Sequence, residues 1–372
     1  MSTIICHSFP AWDTPYVKST LELITRMSAT HRVIFLDYPY TWKDYFSNPH
    51  APKKNMLGGE VRMIETEFGT IEVYNSGPII PTQWINQPNL FDALMKVNAH
   101  LVKPTIDRIL KTVNTADVQV INAFNPVFGW YTRKFWKGIP VTYYAYDDLS
   151  STPWAGKWGK TYEGKFLKEV EKVIVSSEGL KKKFDQLHPQ VSCVKNGVNL
   201  SLFKPDFLHK AKKKLGYVGA FDERIDLELL EQVALAYPDY LIEILGPVKT
   251  TSDLPGNVIF LGSCPQDQIK DVVRDWNVCL IPFRKTPFTQ SIYPLKINEY
   301  LALGKPVVST DFADLSDFDE VVRISSDTET FIKGIHREKR SDNRLKKAKR
   351  IDFASKNSWE ARSQEFLQAL AS

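Results

Sequence analysis

Short runs of β-branched and aromatic residues alternate with amphipathic stretches along most of the chain, the pattern of strand, crossover helix and parallel strand. In the first half the spacing predicts strands at Thr3–Cys6, Arg32–Asp37, Asp117–Ala123, Pro140–Tyr146, Lys172–Ser176 and Val191–Lys195. It predicts helices at Tyr16–Met27, Leu90–Val113, Tyr162–Glu171 and Glu178–Leu187. The rhythm lapses from Tyr38 to Pro88, which is rich in Pro, Asn, Gly and aromatics and reads as an insertion with a strand pair around Val61–Tyr74. There Trp42, Lys43, Tyr45 and Phe46 either pack a small satellite core or present aromatics and a cation to lipid headgroups or sugar rings.

Periodicity lapses again near Asn196–His209, where Asn196-Gly197 suits a turn and Pro205 breaks regular structure, so the interdomain linker is expected there. The second half restarts with strands at Lys214–Val218, Leu241–Leu245, Val258–Leu261, Val278–Pro282 and Pro306–Thr310. Helices are expected at Ile225–Ala236, Gln266–Arg274 and Pro294–Leu303, and from Thr328 onward. An α/β fold with two cores follows, since 372 residues exceed one comfortable core.

Composition removes several function classes. At 43% apolar and 24% charged residues the chain has ordinary globular content, which argues against wholesale disorder. Cys6, Cys193, Cys264 and Cys279 form no Cys-x-x-Cys pair, so neither a zinc site nor a disulfide framework is indicated, and a reducing compartment fits. The expected setting is cytoplasmic, for there is no signal-peptide pattern at the start and no apolar run of about 18 residues that would span a bilayer. Residues 1–205 hold 24 Lys and Arg against 18 Asp and Glu, whereas the rest holds 24 against 25, so the first half is the basic one. That imbalance suits an anionic acceptor or peripheral contact with a membrane surface, or is simply a solvated lysine face. The basic run Arg337–Arg350 reads as a solvated helix rather than a nucleic-acid site.

The chemistry concentrates at Ser291-Ile-Tyr-Pro-Leu-Lys296-Ile-Asn-Glu299, which runs on to Gly304 and a β-branched strand. Pro294 suits the first turn of a helix and Gly304 its end. Such a helix start offers amide N–H groups and a positive dipole end to a diphosphate, next to Leu295 and reinforced by Lys296. Glu299, three residues on, shares a face with Lys296 and could serve ribose hydroxyls; alternatively the two form an ordinary ion pair. Upstream, Tyr217-Val-Gly219-Ala-Phe-Asp222-Glu-Arg224 runs from a strand into a glycine loop. Gly219 lets backbone approach a ligand there, and Arg224 offers a planar fork for phosphate oxygens. The three-glycine dinucleotide pattern and the Walker loop are both absent, which removes support for NAD-binding and ATP-hydrolysing readings.

In this order the motifs of residues 217–310 resemble the donor domain of GT-B glycosyltransferases of family 4, the bacterial branch with teichuronic-acid-type enzymes. Tyr143-Tyr-Ala-Tyr-Asp147-Asp148, Val173–Ser177, Asn196-Gly-Val198 and Asn357-Ser-Trp359-Glu360-x-Arg362 share the likeness. The resemblance implies two Rossmann-like α/β/α domains facing across a cleft: residues 1–203 for the acceptor, with an insertion at about 38–88, 204–355 for the nucleotide-sugar donor, and 356–372 a helix crossing back to the first. It implies transfer of a hexose-type sugar from a nucleotide-diphosphate donor, commonly a UDP-sugar, to a saccharide or lipid-linked glycan, with retention of anomeric configuration. Neither a resident cofactor nor a bound metal is implied, the nucleotide-sugar being a substrate.

Carried over by position, Gly219, Arg224, Leu295 and Lys296 would hold the diphosphate, Glu299 the ribose, and Gly262-Ser263-Cys264 the base. One departure stands out. The family's first glutamate, separated from the second by seven residues in the usual pattern, is replaced by Ser291, which cannot stabilise positive charge at an anomeric carbon. Thr289, Gln290 and Tyr293 are possible substitutes around the donor sugar. On the acceptor side Asp147 and Asp148 stand where many relatives carry a histidine; they could orient a hydroxyl or act as base, or cap the following turn. Trp12 and Asp13, after the first strand, could line the same acceptor region, whereas His7 reads as packing. Loss of the first glutamate also keeps open a non-catalytic protein that binds a nucleotide-sugar or glycan.

Overall fold

The computed structural model describes residues 2–13, 18–151, 155–250 and 253–372. They form two compact units, one of residues 1–195 with 363–372 and one of residues 196–362. The separation falls inside the lapse of periodicity that begins at Asn196.

In the first unit the chain runs β1 (Thr3–Ser8), α1 (Ser19–Met27), β2 (Arg32–Leu36), α2 (Trp42–Ser47), α3 (Lys53–Gly58), β3 (Arg62–Glu65), β4 (Thr70–Tyr74) and α4 (Pro88–Leu110). It continues through β5 (Val118–Ala123), α5 (Pro126–Thr132), β6 (Val141–Ala145), α6 (Gly156–Phe166), β7 (Lys172–Val175), α7 (Glu178–Phe184) and β8 (Val191–Cys193). One sheet of order β3-β4-β2-β1-β5-β6-β7-β8 gathers them, parallel throughout except for β3 at its edge. Strands such as Ile4–Cys6 and Val33–Leu36 are buried on both faces, as helices covering both sides of a parallel sheet require.

The segment 38–88 is not set apart as an insertion. Its strand β4 pairs parallel with β2, Val33 opposite Ile71, so the segment completes the sheet. Its polar composition hid this because only Ile71, Val73 and Tyr74 of β4 are buried. The segment also forms two unforeseen short helices. In α2 a Thr41–Asp44 capping box fixes the start. Tyr40, Ala51 and Met56 make a satellite core against which Tyr45 packs, while Trp42 and Phe46 stay 45% and 76% exposed. Thr14–Val17, where helix α1 was expected to begin, lie outside the described residues.

The second unit comprises β9 (Lys214–Val218), α8 (Leu227–Ala236), β10 (Leu241–Leu245), β11 (Val258–Gly262), α9 (Ile269–Val273), β12 (Val278–Ile281), α10 (Pro287–Gln290), α11 (Leu295–Ala302), β13 (Val307–Thr310), β14 (Arg323–Ser325), α12 (Thr328–Ser341) and α13 (Arg344–Lys356). Its six parallel strands run β11-β10-β9-β12-β13-β14, the winding of a dinucleotide-type Rossmann sheet with its reversal between β9 and β12. Three of the eight cations in the run 337–350 form ion pairs, Lys346 with Glu338, Lys349 with Glu320 and Arg350 with Asp342, and Arg350 is buried with its guanidinium on the Gly304 carbonyl at 2.8 and 3.0 Å. A cation at a helix C-terminus is favoured by the dipole, so these charges serve the fold.

A last helix, α14 (Trp359–Ala371), begins in the second unit, where the Trp359 amide donates to the Val198 carbonyl at 3.1 Å. Its final residues belong to the first unit, where Phe366 packs edge-on against Tyr144 at 5.0 Å. There Lys172 donates to the Ala369 and Leu370 carbonyls at 3.1 and 2.9 Å, closing the helix end.

Candidate functional site

Where the strand order of a parallel α/β sheet reverses, the loops leaving the two central strands diverge and open a crevice at their carboxyl ends. In the second unit Gly219, after β9, stands at that reversal, and two more glycines continue along the same carboxyl edge: Gly246 after β10 and Gly262 closing β11. Their φ angles are +152°, +155° and +73°, which only glycine adopts at little cost. A Cβ on Gly246 would lie 2.0 Å from the Gly219 carbonyl oxygen, and one on Gly219 would lie 2.3 Å from Tyr217 Oη. The Gly219 amide donates to Leu245 O and the Gly246 amide to Gly262 O, so the three turns brace one another. Gly246 was missed in the sequence. Its signal was there, an apolar run ended by glycine as at Gly219, but no catalogued motif attaches to it.

Arg224 leaves the β9–α8 connection with its guanidinium 5.5 Å from the Phe283 ring centre and its fork on Asp222, at 2.8 and 2.7 Å. The same connection is tied to the loop after β12: Arg284 N–H donates to Arg224 O at 2.8 Å, and Ile225 bridges Phe283. Asp222 holds the arginine's orientation through Nε and one terminal nitrogen, an ion pair that the sequence reading did not anticipate.

Helix α11 starts at Leu295, one position later than expected, with Pro294 at its N-cap, and no side chain caps it. Lys296 in the first turn donates to Glu299 at 2.7 Å; the carboxylate is buried and the lysine partly exposed. Tyr300 reaches from the same helix so that its hydroxyl accepts the Val218 amide at 2.7 Å, fixing α11 to the end of β9. This tether too was unread in the sequence, because a tyrosine at helical spacing looks like core. Gly262-Ser263-Cys264 follows β11, and Cys264 lies within the field of Lys296: burial and then Asp267 push its thiol pKa up, while the lysine opposes them. Loop 262–264, Lys296 and Glu299 therefore occupy one neighbourhood.

Ser291 is buried, with its hydroxyl donating to Phe288 O at 2.6 Å. Thr289 is buried within a capping box with Thr286, and Tyr293 packs on Phe318 at 5.4 Å while its carbonyl accepts from Asn196 at 3.3 Å.

The first unit has its own reversal between β1 and β5. After β1, the Trp12 amide donates to Asp37 Oδ1 at 2.8 Å and Asp13 pairs with Arg62 at 2.7 Å. Arg62 and Asn75 also donate to Asp37, at 3.3 and 2.8 Å. Burial outweighs these bonds and pushes the Asp37 carboxyl up to about 6. Asp37 and Arg62 were not singled out from sequence, because 49 residues separate Asp13 from Arg62 and only the pairing of β3 and β4 into the sheet joins them.

After β6, two strands from β1, Asp147 accepts the Asp148 amide at 2.9 Å. Asp148 accepts from Ser150 N and Oγ, Ser151 Oγ and Lys183 Nζ, at 2.9, 2.7, 3.0 and 2.6 Å. Burial works to raise its pKa, but Lys183 and the serines prevail and hold it below the ordinary carboxylate value. Asp148 thus caps the turn at 149–151, whereas Asp147 stands half-buried at the strand end. His7 is fully enclosed, and burial lowers its pKa to about 4. Among the described residues no group of three or more His, Cys, Asp or Glu is placed to hold a metal ion, and no helix is long and apolar enough to cross a membrane.

Two Rossmann-like units with these windings define the GT-B fold. It is shared with sucrose-phosphate synthase from Thermosynechococcus elongatus, at TM-score 0.70 and 16% identity over 99% of this chain and 98% of that one. It is also shared with Anabaena HepE in complex with UDP and glucose, at 0.62 and 14% over the whole of both chains, and with TarM at 0.66 and 13%. The second unit is then assigned more closely: residues 212–337 match the family of glycosyl transferases group 1, so the chain carries a glycosyltransferase domain. Among curated proteins it is 27% identical over 226 residues to a putative teichuronic acid biosynthesis glycosyltransferase, TuaH, of Bacillus subtilis. That match spans 50% of this chain and 56% of TuaH, about half of each.

Proposed function

We propose that the protein is a retaining, metal-independent glycosyltransferase that moves a hexose-type sugar from a UDP-sugar to a saccharide or lipid-linked saccharide in cell-surface polysaccharide synthesis. The observation that carries this reading is the glycine staircase Gly219, Gly246 and Gly262, flanked by Arg224 and the uncapped start of α11 with Lys296 and Glu299. Backbone can approach a pyrophosphate there without side-chain interference. Arg224, Lys296 and the helix start then offset the charge that grows on the departing diphosphate. Glu299 accepts from ribose hydroxyls once Lys296 turns toward phosphate, and loop 262–264 meets the base. The nucleotide-sugar is substrate rather than resident cofactor. Asp147, at the end of β6, orients the acceptor hydroxyl, and the enzyme works at the cytoplasmic face of the membrane. Support comes from the family match, from TuaH, and from two proteins of the same fold, HepE with UDP and glucose and an E. coli trehalose-6-phosphate protein bound with UDP-2-fluoro glucose (TM-score 0.67, 13% identity).

A second reading, a non-catalytic nucleotide-sugar or glycan binder, is favoured by Ser291, whose buried hydroxyl is turned onto Phe288 O where the family has a carboxylate. Incubation with UDP- and GDP-sugars, with and without glycan acceptors, separates the two. UDP release with a new glycoside supports transfer; nucleotide binding seen by thermal shift without release supports the binder.

A further inference from the structure

At the carboxyl ends of β1, β2, β4 and β5 the first unit has a half-open cavity of about 320 Å³, within the range of small-ligand sites, roughly 300–1,000 Å³. Its walls are Phe9, Phe91, Met95, Phe124, Phe128 and Trp158 with aliphatic neighbours. The cavity is held open by built contacts. The fully buried Asn98 takes both the N–H and the C=O of Ile80 at 2.8 Å, as a neighbouring strand would, and Trp158 Nε1 donates to Ile85 O at 2.8 Å. Phe124 is kept at φ +55°, a conformation that costs a non-glycine residue of order 1–3 kcal/mol.

These contacts also decide what fits. Among the polar groups of the wall Asn125 donates to Ser8 O and Lys157 to Asn86 O, and the side chains of Gln83, Asn86 and Lys157 stand on the exposed rim, so a sugar lodged among the rings would find few partners for the hydrogen bonds it gives up to water. An apolar group loses nothing, and dry apolar cavities take such groups readily. Outside, Trp84 stands 69% exposed between the lining residues Gln83 and Ile85, and Trp42, 45% exposed, follows the lining residue Thr41. Lys43, Lys53 and Lys54 lie in the two short helices that follow. Exposed tryptophans beside lysines suit the boundary of a bilayer.

The geometry points to a binding site for an aliphatic chain, acyl or isoprenoid, as the anchor of the acceptor. Only the word acceptor rests on the transferase reading above; occupancy by an aliphatic chain does not. The test uses the full chain without donor, titrated with n-octyl β-D-glucopyranoside below its micellar concentration or with methyl β-D-glucopyranoside, followed by melting and tryptophan fluorescence. The octyl compound is expected to bind at least about tenfold more tightly, since each buried methylene adds about 0.8 kcal/mol. Val127→Trp and Ile80→Trp, each filling the cavity, should abolish that preference while keeping a cooperative melt; two variants guard against one failing to fold. Equal binding of the two glucosides, or folded variants that keep the preference, overturns the site. UDP-release assays read the other question separately. Release with no octyl preference sinks the cavity and leaves transfer standing, whereas octyl binding with no release from any donor does the reverse.

Discussion

The two sheets wind alike, yet the crevices at their reversals are built from opposite materials. In the second unit the strand ends carry glycines at left-handed φ beside Arg224 and Lys296; in the first they carry Phe9 and Phe124, which line an apolar cavity, and the Asp13–Arg62–Asp37 network. One crevice presents backbone and cations, the other rings and carboxylates. The scaffold thus fixes where ligands go, and the residues at the strand ends fix which ones.

The hardest blow to this contrast is Gly246→Ala. The new Cβ would meet the Gly219 oxygen at 2.0 Å and take up an unfavourable φ, so the second unit should lose more than about 3 kcal/mol, read as a lower denaturation midpoint for that unit, together with the nucleotide binding proposed for it. Next come Arg224→Ala and Lys296→Ala. Each should slow turnover at least about tenfold if the cations act in the transition state, with the melting temperature little changed. Near-native turnover in both variants would remove the diphosphate site and leave the crevice without a purpose.

A third test lies in the first unit, through pH. Folding raises the Asp37 pKa to about 6 from an ordinary 3.8, so the folded chain keeps this proton longer than the unfolded one. The contribution is full below about pH 4 and is lost as pH rises through about 6. Melting curves of Asp37→Asn should accordingly show a flatter decline across that window. Asp148 titrates in the opposite sense: its pKa is held down, so its contribution is present above the ordinary value and lost as pH falls, and Lys183→Met should shrink that acid-side loss. The mildest change is Phe260→Ala on the edge strand β11. Its ring is 39% exposed and touches Phe221 edge-on, so a cost below about 1 kcal/mol is expected in chemical denaturation.

Much of this was legible because the signals were local. Strands Lys214–Val218 and Leu241–Leu245 were read to the residue, since each is a short, mostly apolar run buried from its second residue on, as a strand covered on both faces requires. Helix α11 was displaced by one residue, because its proline serves as N-cap rather than first turn. What escaped was carried by distance along the chain. β4 could not be recognised as part of the sheet until β2 was beside it, and Asp37 met Arg62 only through that pairing. Short α2, α3, α5 and α10 were missed because four to seven residues give too little periodicity to register. At the candidate site the charged residues were identifiable by type, but Asp222 as the brace of Arg224 and Tyr300 as the tether of α11 required coordinates.

Because residues 363–372 fold with the first unit while 196–362 form the second, the earlier-made half waits on the ribosome. Phe366 must emerge before Tyr144 gains its cover, and at about 5–20 residues per second of synthesis the interval is roughly eleven to forty-four seconds. Throughout that time a nascent chain carries an uncovered tyrosine, a natural foothold for chaperones, and the second half is free to mature first.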